Sequence, residues 1–436
     1  MARAAVLALL AAVFALGAAT PARAGAGWAP PFRIAGPYSL DVLSPQLAFS
    51  SSGETAVGFG VHNEDHAITS QGFAAVSGKN GKLGGALRVP NAQEVLAVAY
   101  DGTDPVLLIG ASQGSRPCCS SARLVRVVGG KLQGTRTVIQ RLTGATDGQL
   151  VALGAGRMLS VAATAEAVWE QQGKDTGRPV AAARRLTPKG AGPQTLSAVI
   201  LRGGRTVVAW TAAALTPAPT VAPATIMAAD GTANRAPRRP HIAVRVATGH
   251  QIDELALGRS GGGATAAWIE SFTDTAGSPH SLAAIADLGR NVHRRAFEIP
   301  GMLASGVSLA SSPGGGQVLS WKVCTLVGSC RVEAVVKDDG GRFGQPMTLG
   351  RIDASQAPAA AMSNSGTALV GWIDGGRVFA AARARRARRF VPAHLVSGTD
   401  SAMDLTLGFG PGKTAMAAWS EGTFTETVMG AVFKGP

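Results

Sequence analysis

The chain is poor in aromatic residues. Phe, Trp and Tyr together make up 5% of it, and only two are Tyr. A surface that stacks nucleic-acid bases on rings has little to draw on, so nucleic acid is excluded as a partner. Aromatic platforms for sugar rings are equally scarce. Beyond residue 18 there is no second long apolar run, so no further segment is long enough to cross a membrane as a helix. No alternating-Asp calcium loop occurs, no long helical periodicity is seen, and nothing calls for a cofactor. Charged residues are 16% of the chain, with 41 Lys and Arg against 27 Asp and Glu. There are four Cys and 57 Gly.

The first residues carry a leader pattern. Arg3 is followed by an apolar stretch from Ala4 to Ala18, and Ala22-Arg23-Ala24 has the form of an A-x-A cleavage site. The expectation is a signal peptide over 1–24 and a secreted, periplasmic or cell-envelope protein over 25–436. There is no lipobox Cys and no twin Arg at this end. In an oxidising compartment Cys324 and Cys330, which flank a short turn between two strand-like runs, are expected to form a disulfide. Cys118 and Cys119 are adjacent in sequence. They form a vicinal bridge, stay reduced or pair with other chains; the sequence leaves these open.

Against these absences stands a repeat. A stretch close to Gly-x-x-x-φ-small-φ, with φ apolar, recurs eight times. Its last position falls at Phe59, Leu108, Val161, Trp210, Trp268, Trp321, Trp372 and Trp419, about 50 residues apart, the spacing of one supersecondary unit copied round a ring or along a stack. The clearest unit begins at Ser355. Ala357–Met362, Thr367–Ile373, Arg377–Arg383 and Phe390–Val396 read as four short strands, with Asn364-Ser365-Gly366 and Asp374-Gly375-Gly376 as turns. Four antiparallel strands make one propeller blade.

The last unit stops after three strands, and Phe32-Arg33-Ile34-Ala35 supplies a spare one. The prediction is a single all-β domain, an eight-bladed propeller closed by its N-terminal strand, which removes free edges. Seven blades follow if the unit ending at Val161 is not a blade. Because the Trp and the small residue before it point to opposite faces of a strand, Trp210, Trp268, Trp321, Trp372 and Trp419 are expected to interlock between blades and to be structural.

Loop position then sorts the charges. Basic residues gather in the turns between third and fourth strands: Lys79 and Lys82, Arg235, Arg238 and Arg239, Arg294 and Arg295, and Arg385 to Arg389. Carboxylates gather in the links between blades on the opposite face. Asp147, Asp253, Asp353 and Asp404 are the candidate ligand-binding mouth. The expected partner is an unidentified macromolecule; the basic face either draws an anionic envelope polymer through long-range attraction or is a solvated face rich in Arg by codon bias, and the chain is read as a monomer.

Catalytic patterns are weak. Gly110-Ala111-Ser112-Gln113-Gly114 matches G-x-S-x-G, but no helix pattern follows it to form an elbow. His62 and His66 flank Asn63-Glu64-Asp65 and are the candidate metal ligands, though a four-residue spacing on a loop does not fix them on one side. No catalytic residue is assigned.

Ser50-Ser51-Ser52-Gly53 with Val57-Gly58-Phe59, and Ser363-Asn364-Ser365-Gly366 with Val370-Gly371-Trp372, are similar to the turn and strand of TolB-like and WD40-like blades. The chain thus resembles secreted bacterial β-propeller repeat proteins over nearly its whole length. It departs from them in lacking the Asp of that turn. The sialidase box and the kelch pattern are also absent. The resemblance implies the fold; function is left to the site. The sequence reading is an exported, non-enzymatic binding or scaffold module; a hydrolase or lyase acting on an extracellular polymer at the central mouth is the alternative.

Overall fold

The computed structural model describes residues 27–435 apart from 63–69, 79–80, 112–120, 141–144, 165, 175–181, 189–192, 213–223, 236, 238–239, 290–293 and 413. Eight antiparallel sheets follow one another along the chain. We number the blades 1 to 8: they span 46–89, 94–140, 145–185, 193–245, 251–297, 302–351, 359–395 and 402–434. Six have four strands in chain order across the sheet; the sheets of blades 1 and 8 have five, with Asp41–Val42 added to blade 1 and two segments from residues 27–38 added to blade 8. Among the described residues the one helical element is a 3-10 turn, Arg202–Gly204.

The last blade is completed from the other end of the chain. Its third strand, Glu426–Lys434, pairs with Gly27–Trp28 and with Phe32–Tyr38. The unit ending at Val161 is a full blade, with Ala145–Gly154, Arg157–Thr164, Ala167–Lys174 and Arg184–Arg185 in order. The fold is therefore the eight-bladed ring.

The seams between blades hold the core. Trp268 of blade 5 packs with Ala209 of blade 4, Trp321 of blade 6 with Ala267 of blade 5, and Phe59 of blade 1 with Ala418 of blade 8. In each pair a large ring meets the small box residue of the preceding blade. The small residue also leaves room on its own side. A Cβ at Gly58 would lie 2.6 Å from methyls of both Val95 and Val98 in the next blade, and one at Gly350 would lie 2.7 Å from the Trp372 indole. Close packing of this kind tolerates no added methyl without movement.

Two of the eight boxes are out of phase with the rest. Leu108 packs toward blade 3 and Val161 toward blade 4, the following blade in each case, whereas every Trp of the repeat packs toward the preceding one. In blade 2 it is Leu107 and Ile109 that face back to blade 1. A one-residue shift exchanges the two faces of a strand. Both faces of these strands are buried, so the run Leu107-Leu108-Ile109, 0% exposed throughout, gives no alternation by which to choose the phase.

Two Trp N–H groups are satisfied within their own strand. Trp268 Nε1 donates to Glu270 at 3.2 Å and Trp419 Nε1 to Glu421 at 3.0 Å. A buried indole N–H needs such a partner. Trp321 has Val323 at that position, and its Nε1 has no partner among the described residues.

Candidate functional site

The links between blades and the second-to-third turns open on one face of the ring, here the mouth face. Of the four expected mouth aspartates only Asp353 lies in a link; Asp147, Asp253 and Asp404 lie near the start of the first strands of blades 3, 5 and 8, a correction of the sequence reading, and the four answer to different neighbours. Asp147 opens blade 3 close to Glu94, the first residue of blade 2. Burial pushes the Asp147 carboxyl up, partly offset by hydrogen bonds from the backbone of Gly148 and Leu196 and from the Gln149 side chain. Burial and then the Asp147 charge push Glu94 up.

Asp404, at φ 53°, lies at the seam where the ring closes. Burial raises its pKa, and a hydrogen bond with Ser44 opposes the rise. Glu426 belongs to the same seam. Its Oε2 accepts from the Val42 backbone N–H at 2.6 Å, and burial, then the charges of Asp41 and Asp404, push it up. Asp353 instead accepts from the backbone N–H groups of Gly375 at 2.8 Å and Gly376 at 3.0 Å, capping the hairpin turn of blade 7. Asp253 is exposed on the rim of a cavity between blades 5 and 6.

That cavity has a volume of about 530 Å³, within the ~300–1,000 Å³ range of small-molecule sites. Phe272, Pro279 and Leu303 give it apolar wall, and Gln251, Ser305, His280 and Lys322 give it polar groups. Phe272 is stacked between two imidazoles, with His250 at 4.2 Å and His280 at 5.1 Å between ring centroids. The stack is anchored on both sides. His250 Nδ1 lies 2.6 Å from Glu270, a fully buried carboxylate that also accepts from Arg294 at 2.6 Å. His280 Nε2 lies 3.0 Å from Asp274, whose Oδ1 caps the turn at the backbone of Ala276 and Ser278. Lys322 is 7% exposed, and its Nζ donates to the Ala354 carbonyl.

The disulfide sits beside this cavity. Cys324 and Cys330 are cross-strand partners in blade 6 and are bonded, as the turn between them predicted. A disulfide fits an oxidising, extracellular environment. At the tip of the stapled turn Leu326 and Val327 are 73% and 92% exposed.

The opposite face carries the third-to-fourth turns. Between blades 6 and 7 it holds a groove of about 640 Å³ lined by Arg383, Arg388, Arg389 and Phe390. The expected segregation of charge by face is corrected in part here. Asp338 and Asp339 lie on the basic face. Arg383 makes a paired contact with Asp338 at 2.9 and 3.0 Å, and Arg385 lies 3.4 Å from Asp339. The Arg383 hydrogen bonds hold the Asp338 carboxyl below the ordinary carboxylate range against its burial. Asp104 likewise pairs with Arg126 on that face at 2.5 Å. Arg388 and Arg389 are exposed and have no carboxylate partner among the described residues.

Of the metal candidates, His62 Nδ1 lies 2.7 Å from Ser70 Oγ; His66 is outside the described residues, as are Cys118, Cys119, Lys79, Arg238 and Arg239. No group of three metal-binding side chains is found among the described residues. No described helix is long and apolar enough to cross a membrane. Sequence reading missed Lys322 and His280, which come from strands of different blades and meet only in the ring. Glu270 was legible as the acid two residues after a Trp.

No family model and no curated protein matches this sequence. Among solved structures the chain is similar to the polysaccharide lyase Uly1, at 8% identity and a TM-score of 0.53, covering 94% of this chain and 99% of that one. It is also similar to the Dos1 propeller, at 11% identity and a TM-score of 0.52, covering 93% of this chain and 94% of that one. A third is the PL25 ulvan lyase bound to -[GlcA(1-4)Rha3S]-, at 11% identity and a TM-score of 0.50, covering 85% of this chain and 96% of that one. At these identities the likeness shows the propeller fold alone.

Proposed function

We propose that this is an exported binding module that holds an anionic envelope polymer along the groove between blades 6 and 7. One observation carries the reading: Arg388 and Arg389 line that groove beside Phe390 with no carboxylate partner among the described residues. Neighbouring Arg383 and Arg385 are tied down by Asp338 and Asp339. Guanidinium groups offer planar, paired donors to phosphate or carboxylate oxygens. Two left free in a groove suit repeated anionic groups on one chain. The leader pattern over 1–24 and the disulfide support an extracellular location.

The test uses the full mature chain with long-chain polyphosphate and neutral dextran as probes. Polyphosphate is expected to bind with an affinity that falls as salt rises, and dextran not to bind. The double variant R388E/R389E is expected to lose at least 10-fold in affinity. Equal binding by the variant overturns the reading.

A second reading is cleavage of an acidic polysaccharide at the mouth. The raised carboxyls of Glu94, Asp147, Asp404 and Glu426 favour it, because perturbed acids in a cleft are a mark of catalytic sites. Lyases sharing the fold make the same suggestion by analogy. Incubation with a GlcA-containing sulfated polymer, followed by ultraviolet absorbance of unsaturated product, decides it. No product removes this reading and leaves the first intact.

A further inference from the structure

The cavity between blades 5 and 6 plays no part in the polymer groove, which opens on the other face. It combines three features that ordinary packing does not require. The first is a buried ammonium. Lys322 spends one of its three donors on the Ala354 carbonyl and has no carboxylate within ion-pair distance among the described residues. The acid whose charge acts on it is Glu254, whose two oxygens accept the backbone N–H groups of Gly306 at 2.8 Å and Val307 at 2.6 Å. Burial pushes the Lys322 ammonium down from its ordinary pKa, so an anion reaching it relieves a cost the protein otherwise bears.

The second feature is the wall. Phe272 and Leu303 line the cavity, and the anchored His250–Phe272–His280 stack keeps Phe272 in place without a ligand. The third is the hairpin beside it. From Cys324, which lines the cavity, the disulfide-stapled turn of blade 6 runs on to Leu326 and Val327, both strongly exposed. Two adjacent apolar side chains held out on a stapled turn beside the cavity offer contact to an apolar partner. Sugar rings and small inorganic anions make no use of such a contact.

We propose that this cavity binds the free C-terminal carboxylate of an apolar-ended polypeptide, with Lys322 holding the carboxylate, Phe272 and Leu303 the terminal side chain, and Leu326 and Val327 the residues before it. Capture of a chain terminus by a fixed positive site is a recurring mode of peptide recognition. Gln251 and Ser305 on the lining serve the peptide backbone. Asp253 on the rim disfavours a second acidic group.

The probes are acetyl-Ala-Leu-Val as the free acid, the same peptide as its C-terminal amide, and sodium glucuronate, titrated by calorimetry into the full mature chain. The acid is expected to bind at least 10-fold more tightly than the amide. K322M is expected to bring the acid to the amide's level. The surface pair L326S/V327S, at strongly exposed positions, is expected to weaken both peptides alike by roughly 3-fold or more. If K322M does not fold, the comparison of acid with amide on the unaltered chain still decides. Equal binding of acid and amide overturns the proposal. So does glucuronate binding more tightly than the acid, or L326S/V327S binding the peptides unchanged. The variant R388E/R389E leaves peptide binding untouched, which separates this site from the polymer groove.

Discussion

Blades 3 and 6 each bury a glutamate in the third strand, directly across from the last residue of the repeated box. Glu170 faces Val161 and Glu333 faces Trp321. Both are nearly inaccessible, at 2% and 3% exposed. Glu333 has two donors on one oxygen: Arg331 donates to Oε1 at 2.8 Å and Thr348 at 2.7 Å. Glu170 has Arg184 at 3.3 Å on one oxygen, and its other oxygen has no partner among the described residues. Burial pushes Glu170 up to about 7 despite Arg184. The difference lies in each glutamate's own blade, which supplies Arg331 and Thr348 to Glu333 but only Arg184 to Glu170; the two also face opposite seams. Glu333 points toward the preceding blade with Trp321, and Glu170 points toward the following blade with Val161. The same residue type at the same cross-strand position therefore meets a different neighbour.

The strongest way to break this comparison is at the box itself. Trp321→Ala is expected to lower stability by ~3–5 kcal/mol, and Val161→Ala by about 2 kcal/mol, on the order of two methyl groups. Urea unfolding of each variant checks the ratio; equal losses would refute a heavier lock in blade 6.

The next effect is pH-dependent. Glu170 has a folded pKa of about 7 against an ordinary 4.5, so the folded state holds the extra proton between those values. Stability attributable to this group is present below the lower value and is lost as pH rises toward the upper one. E170Q removes that loss. It should be more stable than the parent at pH 8, by roughly 2–3 kcal/mol, and gain little or nothing at pH 5. Midpoints measured at the two pH values decide it, and a gain of equal size at both would sink the assignment.

Opening the disulfide comes third. Cys324→Ser frees a short loop in blade 6, with a loss of about 2 kcal/mol in the chain-entropy account; reduction of the parent protein should reproduce it. The smallest effect is E333Q. Its two donors lose a charged acceptor, for a loss of about 1–2 kcal/mol at neutral pH. It should show none of the gain at pH 8 that marks E170Q, and a gain there would erase the contrast between the two blades.

The ring was readable because turn chemistry repeats. Asn364-Ser365-Gly366 and Asp374-Gly375-Gly376 punctuate strands whose length leaves few alternatives, and the incomplete last unit pointed to Phe32–Ala35. The phase of blades 2 and 3 was not readable, since Leu107, Leu108 and Ile109 are all buried and apolar on both sides. The charge pattern was half readable. Arg385 to Arg389 announced themselves as a run, while Asp338 and Asp339, two residues in the preceding blade, neutralise part of it from some 45 residues away. The cavity was invisible for the same reason. Lys322, His280 and Asp253 share no local spacing, and only the seam between two blades makes them neighbours.

The closing strand has a consequence for the order in which the molecule is made. Phe32–Tyr38 leaves the ribosome long before its partner Glu426–Lys434; at the same seam Val42 and Glu426 are bonded across 384 residues. Until the final strand arrives, the first segment has no edge to join and blade 1 has no neighbour on one side. Pairing over such separation is slow and leaves strand edges open meanwhile. A chain that lacks Glu426–Lys434 keeps both the first segment and blade 1 with an open edge.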